Sequence, residues 1–280
     1  MFFAILSTLL SSISTNLWKK ALSFWAPKEL FNLLSRSSII LVTWTLYLFW
    51  ELDFSNVSFY YVFLLILANI IWSLNDILNQ YVFSVEKISV LMPYSNLNKA
   101  LSIVLSFFIF WWISNISFFI TLLTIIIIIL FSINFKSFKV PKVILLLIVI
   151  EIIRSALMLL SWYILLQITW SAFFVISYII WIIFIWSIVT YKWQFKELKK
   201  LPKKFYIYRL SACHFWWVAY LLSVLVIKNL WLSVSILLSF IGVWITLFIS
   251  YLIFQDKPSK KNLILTTLVM TLVWLWYYYK

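Results

Sequence analysis

Apolar residues run in blocks along this chain, and polar residues gather between the blocks. A membrane-crossing helix needs about 20 mainly apolar residues. Ten stretches fit: 2–18, 31–50, 58–82, 88–110, 116–133, 143–165, 171–190, 206–227, 232–254 and 261–279. The connections are short, the longest lying around 191–205. The first stretch lacks a basic leading segment and a small-residue cleavage site, so it reads as a first span rather than a signal peptide. The pattern predicts an all-α polytopic membrane protein with ten transmembrane helices.

The blocks repeat at an offset of 144 residues. Residues 58–110 align with 202–254 without a gap, and identities include Ala68/Ala212, Trp72/Trp216, Ser89/Ser233 and Ser106/Ser250. Two five-helix repeats follow, 1–138 and 139–280. An odd number of spans turns the second copy over in the membrane, which gives inverted repeats.

Charge sharpens the topology. The chain carries 22 Lys and Arg against 8 Asp and Glu, a net charge of +14. Such an excess can mark a nucleic-acid binder. Here the lysines sit between spans and mostly on alternate loops, as the positive-inside rule requires. Lys192, Lys196, Lys199, Lys200, Lys203 and Lys204 share one loop, whereas the equivalent loop of the first copy has Glu51 and Asp53. The rule places the basic loops in the cytoplasm and both termini outside. Hydrophobic residues are 65% and charged ones 11%, against about 25% charged in a soluble domain. A multi-pass protein of the plasma membrane, in a bacterium the inner membrane, is expected.

One cysteine, Cys213, and one histidine, His214, argue against a disulfide framework or a thiolate or histidine metal centre. No cofactor is expected. Glycine and tryptophan are unbalanced, at 1 and 18 residues. Close helix packing in lipid uses small residues, and Trp belongs at the membrane interfaces. Yet Trp44, Trp72, Trp181, Trp186, Trp216 and Trp244 fall well inside apolar stretches. We expect many Trp positions to be glycine in the cell, through a UGA codon read as glycine.

Ionisable groups inside spans are expensive and mark function by default. The candidates are Arg36 in the second span, Asn75, Asp76 and Asn79 in the third, and Tyr94, Asn96, Asn98 and Lys99 in the fourth. Glu151 and Arg154 in the sixth span stand at i,i+3, close enough to pair, and His214 lies in the eighth. Asp76 and Lys99 occupy consecutive spans at depths that allow pairing. Each has a plainer reading: a local ion pair for Glu151 and Arg154, a snorkelling Arg36, a helix-bonding His214.

Three local patterns carry a family resemblance. Pro27 precedes Glu29-Leu30-Phe31-Asn32-Leu33-Leu34-Ser35-Arg36 at the second span. The fourth span opens Ile88-Ser89-Val90-Leu91-Met92-Pro93, and the ninth ends Phe254-Gln255-Asp256-Lys257-Pro258-Ser259. With the repeat, the chain resembles the drug/metabolite transporter superfamily, in particular its EamA-type ten-helix members. Gln255-Asp256 departs from the family's Gly-Glu pair but keeps an acid. The resemblance implies cytoplasmic termini, opposite to the charge count.

The expected function is a secondary transporter, such as an efflux carrier, moving a small polar metabolite by alternating access. A flippase for a lipid-linked substrate is the alternative. No Walker A loop is present, so energy would come from a gradient, and Asp76, Glu151 and His214 are the groups able to couple protons. An intramembrane enzyme lacks its motifs here: there is no paired aspartate and no H-E-x-x-H. The implied partners are the small-molecule substrate and membrane lipids.

Overall fold

The computed structural model describes residues 2–36, 53–54, 56–94, 97–98, 100–101, 104–105, 115–132, 140–229 and 232–278. Among these the structure is all-helical, without strands. The helices are α1 (Phe2–Leu22), α2 (Lys28–Arg36), α3 (Phe59–Val85), α4 (Ile88–Leu91), α5 (Asn115–Ser132), α6 (Lys142–Leu165), α7 (Trp170–Tyr191), α8 (Phe195–Leu198), α9 (Lys203–Asn229), α10 (Leu232–Phe254) and α11 (Lys260–Tyr278). Each long helix coincides with an apolar stretch of the sequence. Among the described residues three regions are long and apolar enough to cross a membrane: Phe59–Val85, Lys142–Leu165 and Ser171–Tyr191. Phe118–Ser132 and Gly242–Phe254 are shorter apolar helices. The remainder of the second span lies outside the described residues, and the fourth is described only in part.

α3 explains why such helices suit lipid. Its inward face carries Ser73, Asn75, Asn79 and Gln80, all buried, whereas Phe63, Ile66, Leu67, Ile71, Leu74 and Leu78 are exposed. A soluble helix does the opposite. An apolar exterior over a polar interior satisfies backbone and side chains internally. This build is compatible with a membrane protein.

α1 packs along α9 and α10, α6 packs along α3, α2 and α3 lie on α7, α9 meets α2, and α5 packs with α11. The α1 seam is made of small and hydroxyl residues. Ser7 Oγ donates to the Ala219 carbonyl (2.6 Å) and Ser14 Oγ to the Ala212 carbonyl (2.7 Å). One partner number rises by seven as the other falls by seven, so α1 and α9 are antiparallel. Ser12 Oγ donates to the Gly242 carbonyl (3.1 Å) and Asn16 Nδ2 to the Thr246 carbonyl (3.3 Å), which makes α1 and α10 parallel. Gly242, the chain's one glycine, sits where a Cβ would stand 3.0 Å from the Thr8 methyl. A small residue there lets the backbones approach.

Three described residues take left-handed backbone angles: Trp25 (φ 59°), Trp193 (φ 52°) and Gln255 (φ 54°). Each follows closely on the end of a helix, α1, α7 or α10. Glycine is the usual residue at that position, because a Cβ strains the left-handed conformation. Trp is 18 of 280 residues yet holds two of these three places. Of the mid-stretch tryptophans, Trp181 is buried, Trp186 and Trp216 are exposed, and Trp72 and Trp244 are half-buried. Trp44 lies outside the described residues.

Candidate functional site

The polar faces of α3 and α6 meet inside the helical body. Arg154 lies one turn beyond Glu151 on α6 and donates from Nη1 to Glu151 Oε1 at 3.1 Å. Its Nη2 reaches across to Asp76 Oδ1 on α3 at 3.4 Å. Glu151 is buried, at 1% side-chain exposure, while Arg154 and Asp76 keep 20% and 22%. Two carboxylates thus share one guanidinium, whose planar fork suits that task. The trio carries a formal charge of −1.

Amides surround the charges. Asn75, next to Asp76, donates from Nδ2 to the Ile150 carbonyl at 3.3 Å. Ser155, next to Arg154, places Oγ 2.9 Å from the Asn98 carbonyl and 2.8 Å from that of Glu151. The side-chain carbonyls of Asn75, Asn79 and Asn98 are buried and meet no hydrogen-bond donor among the described residues. Buried acceptors of this kind are costly to leave open, so this wall is rich in acceptors ready for a donor group. One turn along α3, Gln80 Nε2 donates to Asn32 Oδ1 of α2. Tyr94 is buried.

The structure therefore brings together Asn75, Asp76, Asn98, Glu151 and Arg154. Asn79 lies one turn from Asn75 on the same buried face. His214 does not join them: it is exposed on α9, and its Nδ1 lies 2.8 Å from the Leu210 carbonyl one turn back. Arg36 ends α2, and its side chain lies outside the described residues, as do Asn96 and Lys99. The expected pairing of Asp76 with Lys99 also falls there. Among the described residues Asp76 pairs with Arg154.

Sequence reasoning passed over a second polar cluster at the end of the molecule that carries the lysine loops. Ser89 donates from its backbone N to Asp256 Oδ2 (3.0 Å) and from Oγ to Asp256 Oδ1 (2.7 Å). Asn262 Nδ2 donates to the Ser89 carbonyl at 2.9 Å. A carboxylate suits the N-terminus of α4, where free N–H groups point outward. The signal was present: Ser89 and Asp256 lie within two of the sequence patterns above. Nearby, Glu29 of α2 accepts from Lys192 Nζ (2.5 Å) and Gln194 Nε2 (3.0 Å). Burial pushes the Glu29 carboxyl up, but these donors outweigh it and leave its pKa below the ordinary value.

Among the described residues no group of three or more His, Cys, Asp or Glu side chains could hold a metal ion. No family model matches the chain, and no curated protein matches it significantly.

Proposed function

We propose that this protein is a secondary transporter for a small polar solute, built from two inverted five-helix repeats and working by alternating access. The carrying observation is the Asp76, Arg154 and Glu151 trio between two helices apolar enough to span a membrane. Charges inside spans are kept for function by default, and the acceptor wall beside them offers a polar solute its hydrogen bonds.

The packing pattern supports the two-repeat reading. Exchanging α1 with α6, α2 with α7, α3 with α9 and α5 with α11 turns several of the observed pairs into one another. The pair α1 with α9 becomes α6 with α3, and α3 with α7 becomes α9 with α2. The pairs α2 with α7 and α5 with α11 map onto themselves. Single contacts follow the 144-residue offset as well. Ser7 bonded to Ala219 corresponds to Asn75 (219 − 144) bonded to Ile150, within one residue of position 151 (7 + 144). The approach of Ser12 to Gly242 corresponds to that of Ser155 to Asn98 (242 − 144), within one residue.

The two crossings differ in chemistry. One is closed by Ser7, Ala219 and Gly242, which are small. The other holds Glu151, Asn75 and Asn98 at the matching places. Duplication followed by enlargement of one crossing with polar side chains gives a single specialised site.

The test is uptake in proteoliposomes. Wild-type protein, given a pH gradient, should accumulate members of a panel of labelled small polar metabolites. Asp76→Asn should cut that uptake while still inserting. Accumulation no better than in protein-free liposomes across the panel would overturn the reading.

A further inference from the structure

A groove of 510 Å³ opens on the outside of the molecule between α3 and α7, and none of the charged trio lines it. Its walls are Leu74 and Ile77 of α3 and Phe184 and Ile188 of α7. At one end stand Glu29 and Lys192. Both walls belong to helices apolar enough to span a membrane, so the groove runs along the surface that lipid would cover. It is apolar over its length and charged at one end only.

That end is strongly basic. Lys28, Lys192, Lys196, Lys199, Lys200, Lys203 and Lys204 contribute seven positive charges against Glu29 and Glu197, a balance of +5. Lys192 is 48% exposed, and Glu29, itself held by Gln194, fixes its ammonium at the groove's end. An ammonium has three donors, and the bond to Glu29 uses one. Tyr191 precedes Lys192 and is well exposed, at the level where amphipathic rings meet headgroups.

We propose that this groove is a binding site for an anionic phospholipid of the leaflet next to the basic loops. One acyl chain lies along Leu74, Ile77, Phe184 and Ile188, and the phosphate sits on the Lys192 ammonium. The site rests on the membrane reading of the chain and not on transport, so uptake assays and lipid binding succeed or fail separately.

The experiment is native mass spectrometry of delipidated full-length protein titrated with phosphatidylglycerol and, separately, phosphatidylcholine. Wild type should show one site preferring phosphatidylglycerol by about fivefold, the worth of one lysine near a headgroup of net negative charge, which phosphatidylcholine lacks. Lys192→Ala should reduce that preference to parity. Ser187→Phe, at an exposed position lining the groove, should remove the site for both lipids while circular dichroism keeps its helical signal. Equal binding of the two lipids to wild type overturns the proposal, as does retention of the site in Ser187→Phe. Displacement of the lipid by millimolar inorganic phosphate would also overturn it, by showing a site for the free anion.

Discussion

Removing Arg154 tests the charged trio most directly. Arg154→Met keeps the unbranched apolar stem and deletes the guanidinium that stands 3.1 Å from Glu151 and 3.4 Å from Asp76. Glu151 is 1% exposed, so water cannot replace the lost donor. Breaking a buried pair by removing one partner costs about 3–5 kcal/mol. Asp76, with about a fifth of its side chain open, adds little, because solvent screens it. We expect Arg154→Met to lower the unfolding free energy by about 3 kcal/mol, mostly through Glu151. Adding Glu151→Gln removes the stranded charge and should restore more than half of the loss. The assay is reversible unfolding in mixed micelles for wild type, both single variants and the double variant, which forms a double-mutant cycle. A loss below about 1 kcal/mol in Arg154→Met would refute the reasoning. So would a double variant no more stable than the Arg154 single variant.

Other outcomes follow from the same geometry. On a Cys213-free background, a cysteine at Asp53 should react with impermeant reagent from outside and one at Lys199 should be protected; the reverse pattern puts the basic loops outside. Trp25→Gly and Trp193→Gly should each raise stability by about 1 kcal/mol, because a Cβ strains left-handed backbone, and a fall in either would show that the Trp side chains are wanted there. Peptide mass spectrometry of native protein should find glycine at both positions, and tryptophan there ends the codon reading. The folded-state pKa of Glu29 lies below its ordinary 4.5. Its contribution is therefore full above that value and lost as pH falls through the folded pKa. Glu29→Gln should flatten the acid limb of the stability profile and leave neutral pH as the condition of greatest difference; parallel profiles would refute this.

Local pattern was enough for much of the architecture. Ten apolar blocks are a property of composition along the chain, and the long described helices fall on them because backbone in an apolar setting must bond to itself. The pairing of Glu151 with Arg154 was equally legible, since i,i+3 spacing puts both on one helical face. The 144-residue offset was visible in the sequence too.

Partners across helices were not legible. Nothing local points from Asp76 to Arg154, 78 residues further along the chain, because depth in the membrane is shared by every helix at that level. Rotation of α3 about its axis brings the two together, and that is set by Asn75 bonding to the Ile150 carbonyl and by the exposed apolar stripe from Phe63 to Leu78. His214 is charged-capable by type, yet rotation of α9 turns it outward. Asp256 looked like the remnant of a sequence pattern until the fold brought Ser89 to it over 167 residues. Sequence fixes what each helix is made of, because helix formation and lipid burial act over neighbouring residues. Only the tertiary structure decides which faces meet, because that balance is struck among all the helices at once.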